Sequence, residues 1–141
     1  MCDKLRDVIL YFLNRLGVIE SRTKLVKLLY LADVEAKKKL DRTITGLNYI
    51  YHFYGPYAPE IIEKVLEMNG EEIREIYNPL YDRYEYYAEK NEVDVELESD
   101  EIEILDDVIR KYGKMNTSEI KEVAYNTEPM KNARPGERLV I

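Results

Sequence analysis

Leu5, Val8, Ile9, Phe12, Leu13 and Leu16 recur at three- and four-residue spacing and make one apolar stripe, which predicts a helix over residues 3–16. Gly17 follows where a left-handed cap residue is expected, and Ser21 is placed to N-cap a second helix. That helix carries Leu25, Leu28, Leu29, Ala32, Ala36 and Leu40, and it should end near Leu40, where Lys37, Lys38 and Lys39 complement the negative end of its dipole. The period then changes. Residues 47–54 read LNYIYHFY, aromatic and β-branched, which predicts a short strand that Gly55 and Pro56 should end. Pro59 suits the first turn of a third helix, with Ile61, Ile62, Val65, Leu66 and Met68 facing inward and Gly70 closing it.

Residues 71–98 are less regular. A strand is expected at 74–77, a turn at Asn78-Pro79, tyrosine-rich strand character at 82–87, and alternation of apolar and acidic residues from Val93 to Leu97. Together these read as a small sheet or hairpin. A fourth helix follows over 100–112 with Ile102, Leu105, Val108, Ile109 and Tyr112 on one face, an acidic start, a basic last turn and Gly113 beyond it. A fifth opens at Asn116 or Thr117 and runs to about Tyr125, and the tail from Asn126, with Pro129, Pro135 and Gly136, should be mostly irregular. No internal repeat or low-complexity linker interrupts the pattern. The expectation is a single α+β domain over residues 1–141, mainly helical, with about five helices and a small antiparallel sheet or hairpin.

The chain has 141 residues, 45% hydrophobic and 35% charged, which is enough for one core and too little for two. Its formal net charge of -7 repels phosphate and favours a basic partner. A single cysteine, Cys2, permits no intramolecular disulfide and fits a reducing cytoplasm. The first residues show no signal peptide and no apolar run is long enough for a membrane helix. The expected location is therefore the cytoplasm.

Catalytic chemistry finds little to work with. His52 is the only histidine, set between Tyr51 and Phe53 on a predicted strand, where a packed or hydrogen-bonded role outweighs that of a base. Cys2 lacks an activating neighbour in the sequence, and histidine and thiolate are too few for a metal site. Neighbouring acids such as Asp106 and Asp107, or Glu71 and Glu72, point in different directions on a helix. No phosphate-binding loop, dinucleotide fingerprint or nucleophile elbow is present. These absences argue against an enzyme, a cofactor and a metal.

Thirteen tyrosines stand against two phenylalanines and no tryptophan. Tyrosine has an apolar body and a polar tip, which suits half-buried sheets and interfaces alike. One reading pairs Tyr49, Tyr51, Tyr84 and Tyr86 across a small sheet. The other leaves some of them, with Tyr54 and Tyr57, as an exposed patch for a partner, which would also permit a homodimer.

Three landmarks resemble one known family. The helix segment from Thr23-Lys24-Leu25 through Leu28-Leu29-Tyr30-Leu31-Ala32-Asp33 is similar to its K-L-x-K-L-L-Y-x-A-D helix. Phe53-Tyr54-Gly55-Pro56-Tyr57-Ala58-Pro59 is similar to its aromatic-Gly-Pro turn with a second proline three residues later. Ser118 to Ile120, Asn126 to Pro129 and Ala133 to Glu137 resemble its C-terminal part more weakly. The family is the Panacea, or SocA-like, antitoxin domain. The chain departs from it in lacking tryptophan before the Gly-Pro turn, where Phe53 or Tyr54 stands, and after the C-terminal proline, where Met130 stands.

The resemblance implies an antitoxin that binds and neutralises a toxin protein, and for the SocA type also delivery of the toxin to an ATP-dependent protease. It implies partner contacts at Tyr30, Tyr54, Gly55, Pro56 and Tyr57, and structural roles for Lys24, Asp33 and Pro59. Asp33 is expected to accept hydrogen bonds from the Gly55-Pro56 backbone, ahead of a direct partner contact. The alternative is a DNA-binding regulator. Short turns at residues 16–21 and 113–116 resemble helix-turn-helix geometry, and Lys37, Lys38, Lys39 and Arg42 form the one dense basic cluster. Cations satisfying a helix C-terminus explain that cluster more simply.

Overall fold

A computed structural model describes residues 3–89 and 94–141. Cys2 and Val93 lie outside the described residues. The first helix, α1 (Lys4–Leu16), starts one residue later than the stripe predicts, with Asp3 as its N-cap accepting from the Arg6 N–H, and Gly17, at φ 81°, donates its N–H to the Leu13 carbonyl as the expected C-terminal cap. A two-residue strand, β1 (Val18–Ile19), separates it from α2 (Arg22–Leu40), whose N-cap Ser21 accepts from the Lys24 N–H at 3.0 Å. This strand pairs with a distant one, so the connection is no helix-turn-helix turn.

α2 is the axis of the molecule. Leu25, Leu28, Leu29, Ala32 and Ala36 are buried as the stripe predicts, and so are Val26, Leu31 and Val34 on the other faces. α4 (Ser99–Tyr112) and α5 (Thr117–Tyr125) pack against it. A helix buried on all sides is apolar nearly all round. Here the polar exceptions between Leu25 and Val34 are Lys27, Tyr30 and Asp33, all buried.

The strands form two separate sheets. β4 (Ile73–Asn78) and β5 (Arg83–Ala88) make an antiparallel hairpin extended by β1 in the order β1-β5-β4, with Tyr77 opposite Tyr84 and Glu75 opposite Tyr86. β2 (Ile50–His52) and β3 (Gly55–Tyr57) form the other, with His52 opposite Gly55 and Tyr51 opposite Pro56. The four tyrosines expected to pair across one sheet are therefore split: Tyr84 and Tyr86 lie in the first, Tyr49 and Tyr51 beside or in the second. Gly55 and Pro56 do not end the strand but open its partner. Phe53 and Tyr54 make the turn, and Pro56 is tolerated because a two-stranded ribbon demands few donors of it.

α3 (Pro59–Met68) starts at Pro59, with Ile61, Val65 and Met68 buried; Leu66, expected inward, is 54% exposed. Of the alternating stretch from Val93 to Leu97, expected to belong to a small sheet or hairpin, residues 94–97 have no regular structure. The tail is more ordered than its prolines suggest. Pro129 lies in the first turn of a sixth helix, α6 (Glu128–Lys131), where its missing N–H is harmless. Beyond it the chain runs beside β2: the Tyr51 N–H donates to the Glu137 carbonyl at 2.9 Å, and the Gly136 and Leu139 N–H groups donate to the Tyr51 and Tyr49 carbonyls, each at 2.8 Å. The result is α+β and mainly helical, with six helices among the described residues rather than five.

Candidate functional site

The polar residues on α2 recur every third position, and each holds a different part of the chain. The Lys24 ammonium donates to the Gly113 carbonyl at 2.8 Å, in the bend between α4 and α5, and lies 2.8 Å from the Glu20 carboxylate. Lys27 donates to the Pro56 carbonyl at 2.9 Å. The Tyr30 hydroxyl lies 2.6 Å from Thr127 Oγ1, whose own proton goes to the Ala124 carbonyl at 2.7 Å. Asp33 accepts from the Ile44 N–H at 2.8 Å, the Thr45 N–H at 3.0 Å, the Thr45 hydroxyl and the Tyr49 hydroxyl at 2.7 Å.

Asp33 thus fixes the loop ahead of β2 and does not touch the Gly55-Pro56 turn, contrary to expectation. Its carboxylate is too far along the helix; the side chain two turns nearer the N-terminus reaches the turn instead. That side chain, Lys27, is the residue sequence reasoning missed. A lysine inside an apolar helix ordinarily marks the solvent face, and only the burial of α2 on all sides overturns that reading.

Gly55 shows how closely Lys27 and the turn fit. Its φ is +106°, and a Cβ there would stand 3.2 Å from Lys27 Cε and 3.7 Å from a ring carbon of Tyr125. Beyond it Phe53 and Tyr54 project, 86% and 61% exposed. They are anchored from behind. The Tyr125 hydroxyl donates to the Phe53 carbonyl at 3.0 Å, the Tyr51 and Tyr125 rings meet edge to face at 6.0 Å, and Lys121 sits 5.0 Å over the Tyr54 ring. His52 is exposed and its ring lies 5.2 Å from that of Tyr57.

Of the residues expected at a partner surface, Tyr54 is exposed and Tyr57 half-buried, while Gly55 and Pro56 are buried beneath the turn. Tyr30 lies fully in the core, its ring 5.2 Å from Tyr49, so it supports the surface from inside and does not present itself to a partner. Burial pushes its hydroxyl up to about 12. Lys24 and Pro59 occupy structural positions, one pinning Gly113 and the other starting α3.

Beside the turn lies a cleft of about 230 Å³, with Val26, Tyr54, Tyr57 and Ile62 as apolar walls and Arg22, Thr23, Lys27, His52 and Gly55 completing it. A larger cleft of about 640 Å³ adjoins Lys24 and Gly113, but the lysine there is already matched to Glu20. In the small cleft burial, and secondly the charge of Lys121, press the Lys27 amine down to about 7.

Two of the four cations in the basic cluster of the DNA-binding alternative are paired with carboxylates. Lys39 lies 3.0 Å from Asp107, and Arg42 lies 3.0 Å from Glu101 and 3.2 Å from Glu98. Among the described residues no three His, Cys, Asp or Glu side chains are grouped to hold a metal ion, and no helix is long and apolar enough to cross a membrane.

Against known proteins, the family model described as antitoxin SocA-like, Panacea domain, matches residues 25–129. The match spans α2 from its first leucine, the turn, the cleft residues other than Arg22 and Thr23, and the chain as far as Pro129. No curated protein and no solved structure matches the chain.

Proposed function

The chain belongs to the antitoxin SocA-like, Panacea domain family, and from that premise we propose that it is a non-enzymatic antitoxin that binds a toxin protein through the Phe53–Tyr57 turn. The observation that carries this reading is the pair of exposed aromatics, Phe53 and Tyr54, on a turn braced from beneath by Lys27 and Tyr125. Large aromatic side chains presented to solvent on a braced backbone suit an interface hot spot, because less backbone ordering entropy remains to be lost on docking. Neutralisation is steric: the bound toxin cannot reach its target. Delivery of that complex to an ATP-dependent protease in the cytoplasm is the further step the family suggests.

The test is co-expression with the product of the neighbouring gene, scored by growth and by co-purification. The expected result is a toxic neighbour, rescue by this protein and a stable complex. Phe53→Ala and Tyr54→Ala should each weaken that complex by about 2 kcal/mol, roughly 30-fold, with unfolding temperatures unchanged. A harmless neighbour that forms no complex, or full affinity in the double variant, would overturn the reading.

A further inference from the structure

We propose that the cleft at Lys27 receives a carboxylate on a short apolar stem, the side chain of an aspartate or glutamate presented by the protein that docks on the Phe53–Tyr54 turn. The choice of occupant rests on the reading of that turn as a partner surface; the carboxylate chemistry rests on the cleft itself.

Lys27 is 2% exposed, and its ammonium has three donors, yet among the described residues it makes a single hydrogen bond, to the Pro56 carbonyl. Among the described residues no aspartate or glutamate lines its cleft. The contrast with Lys24, one turn away on the same helix, is informative. It too is 2% exposed, but it carries Glu20 as a counter-ion. Buried charges in proteins are ordinarily paired, so a buried amine facing a cleft without a carboxylate lacks its natural partner.

The surroundings fit an anion supplied from outside. Among the described residues Arg22 on α2, itself paired with Glu75 at 3.3 Å, His52 on β2 and Lys121 on α5 are the charged or titratable groups about the amine, with the hydroxyls of Tyr54, Tyr57 and Tyr125 beside them. On a molecule of net charge -7 this is a local cationic recess. Val26, Tyr54, Tyr57 and Ile62 offer apolar walls to methylene groups, and about 230 Å³ holds a side chain rather than a large cofactor. Because burial and Lys121 hold the amine near 7, docking of a carboxylate draws a proton onto Lys27 and reverses that shift.

The test uses the full chain and phenylacetate as probe, with phenylacetamide as its neutral counterpart and inorganic phosphate as a second anion. Lysine-labelled NMR follows the Lys27 side chain. Phenylacetate should bind saturably, raise the Lys27 titration midpoint, and lose more than about tenfold in affinity between pH 6.5 and 8.5 as the amine deprotonates. Phenylacetamide and phosphate should bind at least about tenfold more weakly. Lys27→Met should abolish phenylacetate binding. Should that variant fail to fold, Lys121→Glu provides the second arm, because a carboxylate at the cleft mouth should raise the Lys27 midpoint and weaken the probe.

Equal binding of the amide, preference for phosphate, or a Lys27 signal unmoved by phenylacetate would overturn the proposal. Probe binding without any toxin complex would retain the carboxylate site and remove the toxin reading. A toxin complex that forms alongside a bound probe without competition would show that the partner's carboxylate does not enter here.

Discussion

At the scale of single residues, the buried polar groups of α2 are matched by partners, Asp33 most fully, with Lys27 the exception. Asp33 meets two backbone N–H groups and two hydroxyls, yet burial outweighs these donors and raises its carboxyl above the usual range. Removing the side chain leaves the Ile44 and Thr45 N–H groups and the Tyr49 hydroxyl without an acceptor. Asp33→Ala should therefore lower stability by about 3 kcal/mol in urea unfolding, and a loss below about 1 kcal/mol would contradict the bracing role. Lys27 is the opposite case. Its depressed folded value means that above about 7 the unfolded chain holds the extra proton, so the wild type should gain stability as pH rises from 7 towards 10. The Lys27→Met variant should lack that gain. Unfolding midpoints of both proteins at pH 6 to 9 check it.

At the scale of elements, what was legible in the sequence was local. The stripe of α1, the Gly17 and Ser21 caps, the Pro59 start of α3 and the acidic-to-basic run of α4 depend on residues within a few positions of one another, and the structure has them as read. The illegible parts depend on distant partners. Lys27 bonds a carbonyl 29 residues away and Tyr30 a hydroxyl 97 residues away, and neither separation is written in periodicity. A signal did exist: between Leu25 and Val34 the polar residues fall only at 27, 30 and 33, which a helix buried on all sides allows only if each has a partner. The tail misled for a related reason. Pro129, Pro135 and Gly136 break helices and strands locally, but the backbone beside β2 supplied the bonds that order residues 136–139. For the candidate site, the turn was visible as a motif, whereas the cleft was not, since its walls come from α2, both strands of the small sheet and α3.

At the scale of the whole molecule, α1, α4 and the segment before α4 are joined by buried carboxylates. Glu101, 1% exposed, lies 2.6 Å from Lys4 and 3.0 Å from Arg42 and accepts the Glu98 N–H at 2.9 Å; Asp7, 3% exposed, pairs with Arg6 and accepts the Glu96 N–H at 3.0 Å. Burial alone would push the Glu101 carboxyl up, but Lys4, the Glu98 N–H and Arg42 together bring it below its ordinary value. A depressed carboxyl stabilises the fold above the unfolded value, about 4.3, and that contribution disappears as pH falls through the lower folded value. The molecule should therefore lose stability on the acid side of pH 4.5, at the point where its net negative charge also fades. Glu101→Gln keeps the shape of the side chain but leaves Lys4 and Arg42 without their shared anion. It should cost about 2 kcal/mol at pH 7, because the charge-assisted hydrogen bonds to this buried carboxylate become neutral ones while Arg42 keeps Glu98. It should also flatten the decline between pH 5 and 3, as one ionisation coupled to folding has been removed. Urea unfolding of both proteins across pH 3 to 7 separates this from a merely local effect: a variant that is weakened equally at every pH would show that the Glu101 charge does not set the acid limit of the fold.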